Sequence, residues 1–158
     1  MHNKKEYTIE IAHEKIKKYC SIQERCISDV LNKIITWKLN QKEIDELINI
    51  LLSEDFINEA RFSKVFCRGK FNINEWGIQK IKHELRKKNI SEININNAVK
   101  IIKKNEYLEV LDKLKNRKEK SIKDNDIFTK RNKIARFLLQ RGFESEIVWQ
   151  KIKENKDG

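Results

Sequence analysis

Proline is absent from this sequence of 158 residues, and only four residues are glycine. A protein with many strands and tight turns would need more of both, because these residues supply the backbone conformations that turns require. Their scarcity therefore favours long helices. Charged residues make up 37% of the chain and apolar residues 39%, which leaves enough apolar surface for a core. The length fits one domain of ordinary size or a few very small modules.

Long hydrophobic runs are also lacking. No apolar stretch approaches the roughly 18 residues that a membrane-spanning helix needs, so the sequence predicts no membrane span. Cysteine is scarce: Cys20, Cys26 and Cys67 form no C-x-x-C pair, and no histidine pair completes a zinc site. An odd number of cysteines without a signal peptide predicts reduced thiols in a cytoplasmic protein. We expect the three thiols to be buried as small hydrophobic groups.

Residue patterns of catalytic sites are missing as well. The glycines are isolated, which excludes a glycine-rich phosphate loop. His2, His13 and His83 have no credible nucleophile or metal-ligand set around them, and His83 is predicted to be exposed. Asp124 and Asp126 lie in a polar run, where two carboxylates are normally solvated. The sequence therefore predicts a protein that is not an enzyme and that needs no cofactor or metal.

Positive charge is abundant, with a formal net charge of +11. It is concentrated in the middle of the chain, since residues 64–104 carry 11 basic and 3 acidic side chains whereas residues 1–63 carry 10 and 11. Such a concentration indicates a polyanion or an acidic protein surface as partner. The alternative is a solvated, lysine-rich surface with no partner.

Three sets of apolar residues repeat with the same internal spacing. Within each set the successive gaps are 4, 5, 5 and 4 residues, and the sets are offset by 51 and 53 residues. The sets are Val30, Ile34, Leu39, Ile44 and Ile48; Ile81, Leu85, Ile90, Ile95 and Val99; and Ile134, Leu138, Phe143, Val148 and Ile152. A gap of four places two side chains on one helix face, and the gaps of five mark the corner between two helices. A fixed period near 50 residues is typical of tandem structural repeats.

A further amphipathic stretch precedes each set, so each repeat is predicted to contain three helices. The apolar residues of these stretches are Ile9, Ala12, Ile16 and Cys20; Phe62 and Phe66; and Leu108, Leu111 and Leu114. The predicted fold is all-α, an elongated tandem array of three three-helix modules at residues 1–57, 58–104 and 105–158. Because small units bury little alone, neighbours are expected to share interfaces. Within residues 116–132 we predict a helix that ends in a loop near 123–126.

The corners of the repeats carry turn and cap chemistry. Asn89 and Gly142 suit the left-handed conformation that often ends a helix, whereas Lys38 suits it less well, so the first corner is expected to differ. After the corners, Asn40 with Glu43 resembles a capping box, and Ser91 is a candidate N-cap.

Basic side chains of the central repeat are predicted to form one partner-binding surface. Its candidate residues are Arg68, Lys70, Lys80, Lys82, Arg86, Lys87 and Lys88. Phe71 and Trp76 lie between the two helices that carry this surface. Packing at the helix corner is the first interpretation of these rings, and stacking on a base or docking a partner is the alternative.

The central segment "INEARFSKVFCRGKFNINEWGIQKIKHELRKKNI" resembles the core motif of the RecX family, regulators of the RecA recombinase. The matching residues are Asn58, Arg61-Phe62-Ser63, Arg68, Gly77, Ile81, Leu85 and Lys88-Asn89-Ile90, with Arg141-Gly142-Phe143 near the C-terminus. The resemblance extends over most of the chain, about residues 15–153. The chain departs from the pattern at Asn89, where the family usually has glycine, and at Asn58-Glu59.

The resemblance implies a cytoplasmic, all-helical protein that binds the RecA–DNA filament, lies along its groove and dampens recombinase activity. It also implies a capacity to contact single- or double-stranded DNA. We also expect the protein to be a monomer. A different class of function stays open, an autonomous helical DNA-binding module with non-specific backbone contacts. An obvious recognition helix for base edges is lacking. A scaffold for other acidic proteins is the third alternative.

Overall fold

The computed structural model describes residues 7–154, and within them the chain forms helices and no strands. The helices are α1 (Ile9–Ile22), α2 (Ile27–Ile34), α3 (Gln41–Ser53), α4 (Glu59–Asn72), α5 (Ile78–Lys87), α6 (Glu92–Val99), α7 (Lys104–Ser121), α8 (Ile127–Gln140) and α9 (Ser145–Glu154). None of them is long and apolar enough to cross a membrane.

Extensive helix packing occurs within groups of three consecutive helices. α1 packs on α2 and α3; α4, α5 and α6 pack on one another; α8 packs on both α7 and α9. We call these groups the first, second and third modules. The predicted all-α architecture of three-helix modules is confirmed. The boundaries 1–57, 58–104 and 105–158 stay predictions, and residues 1–6 and 155–158, with His2, lie outside the described range.

The repeated apolar residues face the interior, as their spacing predicted. Eleven of the fifteen are buried, and the half-buried ones are Leu39, Ile44, Ile48 and Val99. The second and third sets are thus almost wholly buried, whereas in the first set Val30 and Ile34 are buried and the other three residues pack against the edge of a core. Packing of this kind supplies most of the stability of short helices.

The helix caps follow the sequence. Asn40 and Glu43 form the predicted capping box at α3, and the Ser91 hydroxyl accepts a hydrogen bond from the Asn94 N–H at α6. The predicted loop is present, because α7 ends at Ser121 and α8 begins at Ile127. Asp126 caps α8 through the Thr129 N–H.

The first corner differs from the others in part, as expected. Helix α2 already ends at Ile34, and the hydrogen bonds from the Ile90 N–H to Leu85 and from the Phe143 N–H to Leu138 at the other corners have no counterpart from the Leu39 N–H among the described residues. All three corners nevertheless contain a residue with positive φ. Lys38 adopts a φ of 54°, close to the 61° of Asn89, and Gly142 has a φ of 99°. The left-handed conformation costs a lysine about 1–2 kcal/mol. Burial of Ile34 and partial burial of Leu39 on either side of the corner offset that cost, because both side chains reach the first core only if the chain turns there.

The chain contains two hydrophobic cores of unequal extent. The smaller core lies in the first module and includes Ile16, Leu47 and Leu51. The larger core runs without interruption through the second and third modules, from Phe62 to Ile152. Within residues 7–154, Cys26 is the one buried residue of the first module that belongs to the larger core.

The first and second modules are connected mainly by polar side chains. The Arg61 guanidinium pairs with Glu24 at 2.6 Å, and the Lys88 ammonium pairs with Asp29 at 2.8 Å. Glu59 accepts a hydrogen bond of 3.2 Å from the Ile27 N–H at the start of α2. We call these residues the first joint.

The second and third modules are connected by backbone contacts. The Gly77 N–H donates to the Arg141 carbonyl at 2.7 Å, and the Gln79 N–H donates to the Gly142 carbonyl at 2.9 Å. The Tyr107 hydroxyl accepts from the Ile78 N–H at 3.0 Å. We call these residues, with Glu144, the second joint.

Candidate partner-binding surface

The turn between α4 and α5 positions the centre of the predicted surface. Glu75 adopts a φ of 56° in this turn, and its carboxylate faces the third module, where Lys113 lies at 3.4 Å. Trp76 follows directly, and its backbone N–H is fixed by the Lys70 carbonyl at 3.1 Å. The turn therefore presents the indole ring at a defined place between the two helices.

Lys70 precedes Trp76 in the sequence and Lys80 follows it. In the fold, both ammonium groups lie against the indole ring. The Lys70 ammonium lies 4.8 Å from the Trp76 ring centroid, and that of Lys80 lies 4.5 Å from it. Phe66 meets the ring edge-on at 6.5 Å. We call Phe66, Lys70, Trp76 and Lys80 the Trp76 cluster. Trp76 is half-buried, so its packing role at the corner is present while part of the ring stays accessible.

Three of the predicted surface residues already have carboxylate partners in the chain. Arg86 binds Glu92 through two hydrogen bonds of 2.7 and 3.1 Å. Lys87 lies 3.7 Å from Glu84, and Lys88 pairs with Asp29 in the first joint. These pairs reduce the local positive charge that a partner would meet, most strongly at Arg86 and Lys88.

The pKa shifts follow these contacts. The hydrogen bonds that Arg86 donates to the Glu92 carboxylate raise the pKa of Arg86, and the same contact lowers the pKa of Glu92. At Asp29 burial opposes ionisation, but hydrogen bonds from Lys88 and the Cys26 N–H outweigh it and lower the pKa. These groups are charged at neutral pH, so their pairs persist there.

The structure does not gather the remaining candidates around Trp76. Arg68 is exposed on α4, and Lys82 is half-buried on α5. Since Lys82 and Arg86 are four residues apart on α5, they share a face, which meets Glu92 at the start of α6. His83 is exposed, as predicted. Five of the seven predicted residues are thus distributed between the Trp76 cluster, the Glu92 side of α5 and the first joint, while Arg68 lies apart on α4 and Lys87 lies beside Glu84.

Several residues of the family motif have structural roles. Asn58 caps α4 by accepting from the Arg61 N–H. Arg61 also holds Asp55, with its guanidinium 2.9 Å from both the carboxylate and the carbonyl of that residue. Arg141 donates to the carbonyls of Asn74 and Glu75 at 2.5 and 3.3 Å. Arg61 and Arg141 therefore contribute to the contacts between modules.

Close packing explains the two motif glycines. A Cβ on Gly77 would lie 2.2 Å from the Gly142 carbonyl carbon, and a Cβ on Gly142 would lie 2.3 Å from the Lys80 Cβ. Backbone atoms occupy most of this space and cannot move aside as a side chain can. The second joint therefore requires glycine at both positions.

Within residues 7–154 no group of three or more His, Cys, Asp or Glu side chains could hold a metal ion. Cys20, Cys26 and Cys67 are free and buried, and burial raises the pKa of the Cys26 and Cys67 thiols to about 11. The thiols therefore pack as hydrophobic groups, as predicted. Asp124 lies 3.5 Å from Lys133.

A second concentration of cations, which the sequence reasoning did not single out, lies on α7 and α8. Lys115, Lys130 and Arg131 line one cavity between these helices. The signal was present in the sequence, since residues 115–136 carry nine basic and three acidic side chains. The predicted helix and loop within residues 116–132 were assigned no binding role.

Comparison with known proteins places two of the three modules in one family. A family model described as "RecX, second three-helix domain" matches residues 58–99, and one described as "RecX, third three-helix domain" matches residues 105–152. Proteins named Regulatory protein RecX are 25% identical over 142 residues in Bacillus cytotoxicus and 28% identical over 126 residues in Clostridium tetani. These alignments cover 88% and 78% of this chain, and 53% and 56% of the relatives. The chain thus spans about half the length of the curated relatives it matches.

Solved structures of similar fold extend the comparison to the whole described chain. The crystal structure of RecX from Lactobacillus salivarius superimposes with a TM-score of 0.83 at 26% identity, over 94% of this chain and 96% of that one. Another structure, titled regulatory protein RecX, gives the same TM-score at 22% identity over 92% and 71%. At that identity the second likeness concerns the fold alone.

Proposed function

The chain belongs to the RecX family, and we propose that it binds the RecA–DNA filament and inhibits the recombinase, as a non-enzymatic regulator of DNA recombination and repair. The name Regulatory protein RecX, carried by its relatives, supports the regulatory part of this proposal. RecA as the partner is what the family resemblance implies.

The observation that carries the proposal is the serial order of three modules held by two joints. A filament presents the same protein surface at regular intervals, so an array of related modules can contact several subunits at once. Contacts that are weak individually then add through a high effective concentration. The fixed backbone contacts of the second joint keep two modules in one orientation, which lowers the entropic cost of binding.

The Trp76 cluster is the best candidate contact on the central module. A half-buried tryptophan flanked by two ammonium groups combines an apolar anchor with positive charge. Tryptophan is among the residues that contribute most at protein interfaces, and basic side chains accelerate encounter with an acidic surface. Lys70 and Lys80 have no carboxylate within 4 Å among the described residues, so their charge is available.

RecA-driven ATP hydrolysis on single-stranded DNA tests the function directly. We expect this protein to lower the hydrolysis rate, and no change at saturating concentration would contradict the proposal. The double variant Lys70→Glu/Lys80→Glu should lose most of the effect while keeping its helical content. A matched control, Lys18→Glu/Lys42→Glu, reverses two exposed charges on the first module and should stay active. If both variants lose activity equally, net charge rather than the Trp76 cluster decides binding.

Co-pelleting with RecA filaments, run beside RecA-free DNA, separates the two classes of function. A RecA regulator should pellet with filaments more strongly than with the same DNA alone. Equal recovery from both would favour the autonomous DNA-binding module. Arg86 and Lys87 are less suitable for charge reversal, because a glutamate at either position would face Glu92 or Glu84 and disturb the fold.

A further inference from the structure

A cleft lies where the first module meets the second, beside the Trp76 cluster. Its volume is about 380 Å³, which is near the lower end of the range for ligand pockets. Residues 23–25 and Asp29 of the first module form one wall, and α4 with Lys88 forms the other. Phe66 and Lys70 belong both to this cleft and to the Trp76 cluster. The cleft is therefore continuous with the candidate contact on the central module.

The floor of the cleft is apolar and partly open to solvent. Phe62 and Phe66 pack on each other with ring centroids 5.8 Å apart, and Val65 on the same helix is 46% exposed. Phe62 is buried and Phe66 is half-buried. An apolar side chain that enters the cleft removes water from this surface, which is favourable in proportion to the area covered.

The two carboxylates that line the cleft are already paired within the chain. Asp29 accepts a hydrogen bond from the Lys88 ammonium at 2.8 Å. Glu24 accepts one from the Arg61 Nε at 2.6 Å. These ion pairs neutralise the acidic groups of the first-module wall, so the carboxylates contribute little to the net charge that a ligand meets.

Two cations of the cleft have no carboxylate partner. Arg25 and Lys70 both line it, and neither forms an ion pair among residues 7–154. Arg25 is held in place, since its guanidinium carbon lies 3.8 Å from the Tyr19 ring centroid and its Nε donates to the Tyr19 carbonyl at 3.3 Å. A side chain fixed in this way loses little entropy when it binds an anion. The charge that a ligand meets beside the apolar floor is therefore positive.

We propose that this cleft is the docking site for an acidic segment of a partner protein, whose large apolar side chain enters between Phe62, Val65 and Phe66. Carboxylates on either side of that anchor bind Arg25 and Lys70. An apolar anchor in a pocket with a polar rim is the usual arrangement at protein interfaces. The inference deepens the proposed function and rests on it for the identity of the partner, since the recombinase filament would supply the segment.

The first-module wall favours a peptide over a chain of phosphates. A nucleic acid carries a negative charge at every nucleotide, so its backbone would approach the carboxylates of Glu24 and Asp29 wherever it crossed the cleft. A peptide can place its charges opposite the two cations alone, and its backbone N–H groups can donate hydrogen bonds to carboxylate oxygens. The arrangement of charges in the cleft therefore distinguishes the two classes of ligand.

The test is fluorescence anisotropy of labelled peptides with the full chain, without RecA. The probe is a short peptide of glutamate residues around a central phenylalanine, and the companion peptide has alanine at its centre. The phenylalanine peptide should bind roughly tenfold more tightly, because only its ring covers the apolar floor. Equal affinity of the two peptides would overturn the site.

Variants of the floor and of the rim locate the binding. Val65→Gln removes apolar surface without changing the charge and should weaken binding of the phenylalanine peptide by roughly tenfold. Ile11→Gln is its matched control, since Ile11 is 47% exposed on α1 and lies outside the cleft. Lys70→Gln should weaken both peptides, whereas Lys80→Gln should not, because Lys80 lies against the same Trp76 ring but does not line the cleft. Equal losses within either pair of variants, at unchanged helical content, would contradict the proposal.

Two further measurements separate the alternatives. If Val65→Gln and Lys70→Gln weaken binding of a labelled single-stranded oligonucleotide as much as that of the peptide, the cleft takes a nucleic acid and the proposal falls. RecA-driven ATP hydrolysis separates the cleft from the proposed function. Full inhibition by Val65→Gln would show that the filament does not occupy the cleft, and filament binding would stand without it. Peptide binding by a protein that leaves RecA unaffected would instead support the cleft and overturn the proposed function.

Discussion

The two joints of this molecule connect similar modules by different means. The first joint consists mainly of ion pairs and side-chain hydrogen bonds, such as Arg61 with Glu24 and Lys88 with Asp29. The second consists of backbone hydrogen bonds around Gly77 and Gly142 and of a hydrophobic core that passes through it. The same three-helix repeat is therefore coupled to one neighbour by charge and to the other by packing.

This difference predicts how the contacts between the modules respond to salt concentration. Packing and backbone hydrogen bonds in a core are little affected by salt, whereas partly exposed ion pairs are screened. We infer that the second and third modules unfold as one unit and that the first module opens separately. If the protein binds a filament as proposed, the second and third modules would act as one rigid unit and the first module as another.

The largest expected effect comes from removing core volume on either side of the first joint. Leu85→Ala should destabilise the second and third modules together by ~2–5 kcal/mol, because Leu85 is fully buried in their shared core. Leu47→Ala should act on the first module alone, since Leu47 lies in the separate core. Hydrogen exchange measured by mass spectrometry reports each module. Equal acceleration of exchange in all three modules by either variant would show one cooperative unit instead of two.

Glycine substitutions should show how tightly the second joint is packed. Gly77→Ala is expected to cost about 1–3 kcal/mol or more, because its Cβ would meet backbone atoms of the third module that cannot yield. Gly69→Ala is the matched control, since a Cβ there meets nothing within 4 Å, and it should stabilise helix α4 by about 0.5–1 kcal/mol. Thermal unfolding measures both. Similar losses in the two variants would mean that the close approach of the second joint is not formed in solution.

The smallest effect is a pH dependence confined to the first joint. The pKa of Asp29 is lowered in the folded protein, so its pair with Lys88 contributes stability at neutral pH that is lost as pH falls through that pKa, below about 4. Burial raises the pKa of Glu59 and acts in the opposite direction. Asp29→Asn should remove part of the acid sensitivity of the first module. Asp45→Asn, which removes an exposed carboxylate of α3, should not. Denaturant unfolding at several pH values measures this, and identical acid curves for the wild type and Asp29→Asn would contradict it.

The repeat pattern predicted the helices and most of the core because spacing along a helix fixes which side chains share a face. The 4, 5, 5, 4 spacing placed residues such as Ile81 and Leu85 inside, and both are fully buried. Caps were predictable for the same local reason, as at Asn40. Lys38 adopts the left-handed conformation despite its low propensity for it, because that propensity is a weak preference and the packing of a whole corner outweighs it.

The candidate site was less predictable, because it depends on which charged side chains contact one another in the fold. Lys70 and Lys80 are ten residues apart and converge on one ring, while Lys88 pairs with Asp29 from another module. Lys115 could be recognised as unusual only after its burial was known. The net charge gives the excess of basic side chains, but it does not show which of them already pair with a carboxylate.

The sequence by itself determined the helical class, the threefold repeat, the core positions and the excess of positive charge, because periodicity and composition are local properties. Only the tertiary structure decided that Arg61 and Arg141 hold modules together, that Gly77 and Gly142 touch, and that Lys115 stands buried beside two other cations. The physical reason is distance. Ion pairs, close backbone contacts and shared cavities join residues far apart in the chain, and their energies depend on separations that no spacing along the sequence specifies.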